Sequence, residues 1–181
     1  MGAAASRWRD LVSGPRSPSA PRRFPQESMM EKRVDYGLVS PNGIRSLRDL
    51  ETYLHGSNLE PALLELVKLR ASILNGCAFC IDMHSKEARA RGEMEQRLYA
   101  LAAWREAPFF SERESAALAW TDAITRIDEG VSDALYENVR RYFEEKELVD
   151  LTLAVVAINA WNRLAIAFRT PAGSYRPALD R

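Results

Sequence analysis

The chain is poor in sulfur and imidazole, with two cysteines and two histidines among 181 residues. Cys77 and Cys80 are the only cysteines. A single close pair does not make the disulfide framework that staples small secreted domains. It suits a reducing, cytoplasmic compartment in which the pair cycles. A charge of one sign is missing too. Lys+Arg and Asp+Glu number 25 each, so nothing global points to a nucleic acid or a membrane surface. No strand signal and no internal repeat is present. The most apolar segment, from about Lys146 to Phe168, is interrupted by Asp150, Asn159, Asn162 and Arg163. It therefore falls short of the roughly 20 uncharged residues of a membrane span. Apolar on every side, it is expected to be buried in the domain or between subunits.

What is present fits one globular domain of residues 29–181. Hydrophobic residues are 46% and charged residues 28%, an ordinary mix. A chain of this length buries about 68–70% of its unfolded surface. Residues 1–28 differ. They hold Arg7, Arg9, Arg16, Arg22 and Arg23 against Asp10 and Glu27, five minus two, a net of +3. No apolar run follows the arginines, so a secretory signal is not expected. The Arg- and Ser-rich composition hints at a transit peptide, but Pro15, Pro18, Pro21 and Pro25 break any long amphipathic helix. The expectation is a disordered extension, or an upstream start before Met29 or Met30.

The remainder reads as all-α, with six or seven helices. Ser40-Pro41 opens a helix with Ile44, Leu47, Leu50 and Leu54 on one side, ended by Gly56. His55, in its last turn, is expected to be a solvated residue that suits the helix dipole. Glu93 to Arg105 is a short helix with Met94, Leu98, Leu101 and Ala102 inward. Its Tyr99 and Trp104 are read first as core or interface packing and second as walls of a substrate entrance. Ser111 to Glu114 is a capping box that opens a helix to about Asp128. Ser132 caps another to about Phe143.

Glu65 to His84 is the segment on which the chemistry turns. Leu63, Leu66, Val67, Leu69, Ile73 and Leu74 form the apolar side of a helix, and Glu65, Lys68 and Ser72 a separate polar stripe. Asn75-Gly76 ends it, since both residues tolerate a left-handed C-cap. A second helix runs from Cys77 to Arg91. The pair makes a helical hairpin, with the cysteines in the first turn of its second arm. Cys77, Cys80 and His84 then share one face at i, i+3 and i+7. Cys80 is within reach of both others, whereas Cys77 and His84 are separated by roughly 10 Å of rise. The helix dipole favours Cys77 as the reactive thiolate, and a base four residues away favours Cys80. Spacing alone leaves that choice open. Glu65, carried back by the hairpin, is set to orient His84 or to pass its proton onward.

E-x11-C-x-x-C-x-x-x-H resembles the core motif of the alkylhydroperoxidase AhpD-like branch of the carboxymuconolactone decarboxylase superfamily. Glu65, Cys77, Cys80 and His84 fill every motif position. The likeness continues through 97–114, 117–125 and 158–173. It implies an AhpD-like helical bundle and a thiol-dependent peroxidase. In that scheme Cys80 is peroxidatic, Cys77 resolving, and Glu65 with His84 the proton relay. It also implies a peroxide substrate, a thiol or dithiol electron donor and a homo-oligomer (dimer, trimer or hexamer), with no cofactor. Disulfide reductase or redox sensor is the alternative use of the same pair. A zinc site on Glu65, Cys77, Cys80 and His84 is disfavoured because Cys77 and His84 are too far apart to share one ion. Lactone decarboxylation is disfavoured because family members known for it lack the cysteine pair.

Overall fold

The computed structural model describes residues 31–177, so the expectation for residues 1–28 lies outside the described residues. Among the described residues eight α-helices follow one another: α1 (Tyr36–Val39), α2 (Pro41–His55), α3 (Pro61–Asn75), α4 (Ala78–Ala90), α5 (Glu95–Ala100), α6 (Glu112–Thr125), α7 (Asp133–Arg140) and α8 (Glu145–Ala167). Single 3-10 turns follow α5 and α6, at Leu101–Ala103 and Ile127–Glu129. No strand occurs among the described residues. The fold is all-α, and the six or seven expected helices are joined by the one-turn α1, held by Asp35 as its N-cap.

Helix α3 is the hub, packing against α4, α6 and α8. Every residue from Leu63 to Ser72 is buried. The polar stripe Glu65, Lys68 and Ser72 is thus enclosed along with the apolar side, and it supplies buried polar groups to the inside of the molecule. Two apolar clusters grip the hub. Leu63, Leu64 and Val67 pack with Trp120, Phe143 and Leu151, while Leu66 and Leu69 pack with Leu101, Trp104 and Leu118.

Caps set the element ends where the sequence carries them. Ser111 Oγ accepts from Glu114 N at 3.2 Å, and Glu114 Oε2 accepts from Ser111 N at 2.8 Å, closing the expected capping box. Ser132 caps α7 through Leu135 N. Inward and outward faces differ at the 93–105 segment. Met94 is exposed and Ala102 points out, whereas Leu101 and Trp104 are buried. The 3-10 turn is the reason, because its three-residue period stacks Leu101 over Trp104.

Helix α8 is long and apolar enough to cross a membrane by length and composition, yet half of its most apolar window is buried within the bundle. Leu151, Ala154, Val155 and Ile158 are fully enclosed. Val149 and Val156 are not covered within the domain and face outward.

A buried arginine ties α3 to α6 and to the turn after α5. Arg70 grips Asp122 with Nε at 2.6 Å and Nη2 at 3.1 Å, and its Nη1 donates to the carbonyls of Leu101 and Ala102. Trp104 Nε1 and Arg105 add donors to the same carboxylate.

Candidate functional site

The α3–α4 hairpin turns on Gly76, whose φ of 69° is left-handed. Its amide bonds to Ile73 O at 3.2 Å, and that of Cys77 to Ser72 O at 3.0 Å, satisfying the last carbonyls of α3. Asn75, just before it, donates to Asn159 Oδ1 at 3.0 Å and Asn162 Oδ1 at 2.8 Å. Asn162 in turn donates to Ser72 Oγ at 3.1 Å. The turn that delivers the cysteines is thus pinned to α8 by side-chain amides.

Cys77 sits one position earlier than its expected place inside the first turn. It is the N-cap of α4, and its Sγ accepts from Cys80 N at 3.3 Å. The two cysteines have Cα atoms 5.3 Å apart and are joined as a disulfide. Both are buried in a small apolar cluster with Ala71, Ile158 and Ala165, with Phe79 and Trp161 packed against it.

Glu65 of α3 and His84 of α4 meet at 2.8 Å, Oε2 to Nδ1, and both side chains are buried. Burial pushes the Glu65 carboxyl up, but the His84 hydrogen bond and the positive charges of His84, Lys68 and Arg91 outweigh it and hold it below the ordinary value. An ionised carboxylate only accepts. Nδ1 therefore carries the proton, and Nε2 is the nitrogen left for chemistry.

Cys80, Glu65 and His84 line one cavity of about 370 Å³, while Cys77 does not. A second ion pair, between buried Lys68 and half-buried Glu51, stands on its wall. Lys68 Nζ donates to Glu51 Oε2 at 2.6 Å, and Trp161 Nε1 donates to Glu51 Oε1 at 3.1 Å. On a third side the Tyr175 hydroxyl donates to Glu87. Burial first, and then that carboxylate, push the Tyr175 phenol up to about 12.

The four motif residues are therefore brought together, as the hairpin predicted. Tyr99 and Trp104 are not part of the site: Tyr99 is exposed and bonded to Glu95, and Trp104 is buried against Asp122. His55 is exposed, as expected, but it lines the cavity mouth, with Nδ1 at 2.7 Å from Glu51 O. Arg163 bonds within its own helix, to Asn159. Lys68, Glu51 and Trp161 were not foreseen as a unit. Only the burial of a lysine on the hub helix gives them away. Among the described residues no group of three or more His, Cys, Asp or Glu is placed to hold a metal ion.

Fold and site together define a helical protein built around the Cys77–Cys80 disulfide, and comparison with known proteins says which kind. The chain belongs to the carboxymuconolactone decarboxylase family, AhpD-like in its fold. The family model matches residues 41–123. The uncharacterized protein YdfG of Bacillus subtilis is 45% identical over 146 residues, covering 80% of this chain and 99% of YdfG. The crystal structure of ATU0492 from Agrobacterium tumefaciens, described as a protein of unknown function and candidate antioxidant defence protein AhpD, is 44% identical. It covers 80% of this chain and 100% of its own, with a TM-score of 0.77. The debrominase Bmp8 shares the fold at 18% identity, a TM-score of 0.68, and 75% and 74% coverage.

Proposed function

We propose that this protein is a thiol-dependent peroxidase that cycles Cys77 and Cys80 between dithiol and disulfide. The observation that carries the reading is that Cys80 lines the cavity beside Glu65 and His84 whereas Cys77 lies behind it. With the pair reduced, His84 Nε2 takes the proton of the Cys80 thiol, and Glu65 stabilises the imidazolium. The thiolate attacks one peroxide oxygen. The S–O bond forms, the O–O bond breaks, and the alkoxide leaves with the proton from His84. Cys77 then attacks the sulfenic sulfur, forming the disulfide and releasing water. A thiol or dithiol donor returns both cysteines to thiols. Relay by an oriented histidine contributes about 10²–10⁴-fold in rate.

The direct test counts free thiols before and after one equivalent of organic hydroperoxide. Loss of both thiols, with one alcohol formed and dithiothreitol restoring the pair, is the expected result. Thiols that stay free while the peroxide persists would refute the reading.

A homo-oligomer in the cytoplasm belongs to the same reading. Val149 and Val156, seven residues apart on α8, are exposed, and a second copy is the occupant we assign to that face. Glutamate at both positions should lower the sedimenting mass. An unchanged oligomer would exclude this face.

A further inference from the structure

The relay uses only part of the cavity's charge. Its three carboxylates all have donors: Glu65 has His84, Glu51 has Lys68 and Trp161, and Glu87 has Tyr175. Its cations are not matched in the same way. Arg48 and Arg91 line the cavity with exposed side chains, and neither is in an ion pair among the described residues. Lys68 is 2% exposed, and of its three ammonium donors one is used, on Glu51. A buried ammonium with spare donors is expensive unless an acceptor reaches it. The lining otherwise includes Phe79, Met83, Trp161 and Ala165, which suit an apolar body. A volume of about 370 Å³ holds a small organic molecule.

We infer that the cavity binds an amphipathic organic anion, a carboxylate with an apolar body, drawn in by Arg48 and Arg91 and met inside by the spare donors of Lys68. Combined with the peroxidase reading, on which this last step rests, the peroxide is a carboxylic-acid hydroperoxide in preference to a neutral one. Binding of the carboxylate itself does not depend on peroxidase activity.

The test is calorimetric titration of the full-length oxidised protein with octanoate and, separately, methyl octanoate. The wild type should bind the carboxylate about tenfold or more tightly than the ester at low salt, the worth of a charge-assisted hydrogen bond. The preference should shrink as sodium chloride is raised. In Arg48→Gln/Arg91→Gln it should fall to about threefold or less. Equal affinities in the wild type, binding of neither probe, or a preference that salt and the double variant leave intact would each overturn the inference. Should the variant not fold, the wild-type salt series decides. Consumption of a fatty-acid hydroperoxide and of tert-butyl hydroperoxide is measured in parallel: failure with both refutes the peroxidase reading and leaves the binding result standing.

Discussion

Glu65 and His84 stand 19 residues apart in the chain and 2.8 Å apart in space, buried on facing arms of one hairpin. The contact fixes the histidine's tautomer, because the held-down carboxylate can only accept from Nδ1. It also sets the pair on the wall of the cavity that Cys80 lines.

Glu65→Gln should therefore raise the Cys80 thiol pKa in the reduced protein, since a neutral amide no longer stabilises the imidazolium that balances the thiolate. Peroxide turnover should drop by about 10²-fold. Thiol ionisation followed by ultraviolet absorbance against pH is the check. An unshifted titration in Glu65→Gln and in His84→Ala would mean that neither residue governs the thiol.

The two cysteines are expected to fail differently. Cys80→Ser should abolish peroxide consumption. Cys77→Ser should still react once and hold a sulfenic acid on Cys80, trapped by dimedone and located by mass spectrometry. The asymmetry follows from the cavity, which Cys80 lines and Cys77 does not. A dimedone adduct on Cys77 of the Cys80→Ser protein, with turnover retained, would reverse the two roles.

Much of this was legible in the sequence, and the exceptions have physical causes. The hairpin and its motif were readable because Asn75-Gly76 marks a left-handed cap and i, i+3, i+7 spacing fixes a face. The caps at Ser111 and Ser132 were readable for the same local reason. For helix α3 the sequence showed a polar stripe but not its partners. A hub enclosed by α4, α6 and α8 buries that stripe and supplies partners from elsewhere: Glu51 for Lys68, Asn162 for Ser72, and Asp122 for the flanking Arg70. Those partners lie 17 to 90 residues away, and local spacing carries no trace of them. Trp161, not Tyr99 or Trp104, lines the site because α8 comes back across the hairpin.

The Arg70–Asp122 cluster is one of the carboxylate sites, with Glu65 and Glu114, that make the fold acid-sensitive. Burial pushes the Asp122 carboxyl up, but hydrogen bonds and charge from Arg70 and Arg105 hold it below its ordinary 3.8. A carboxyl lowered by folding contributes stability that is complete above that ordinary value and is lost as pH falls through the folded one. Thermal melts should therefore be flat from pH 7 to about 5 and decline below about 4. Asp122→Asn, which leaves the buried guanidinium without its counter-charge, should cost about 3–5 kcal/mol at neutral pH and flatten the acid limb. An acid limb of undiminished slope in that variant would put the acid sensitivity elsewhere.

Gly76 separates backbone strain from packing at the point where the cysteines enter. Its φ is 69°, and a Cβ built there meets nothing within 4 Å, so any cost of a side chain is conformational. Gly76→Ala should lose about 1 kcal/mol, Gly76→Asn less, and a β-branched Val more. Asn75→Ala acts on the same turn by another route. It leaves the amide oxygen of Asn162 without its donor, while Asn159 Oδ1 keeps Arg163, at about 1–3 kcal/mol. Chemical denaturation of the four variants tests the order. If the turn were held mainly by its own backbone, Gly76→Ala would be the more damaging; because Asn75 pins it to α8, Asn75→Ala should be. Equal losses for Ala, Asn and Val at position 76 would show that the left-handed conformation is not what the turn requires.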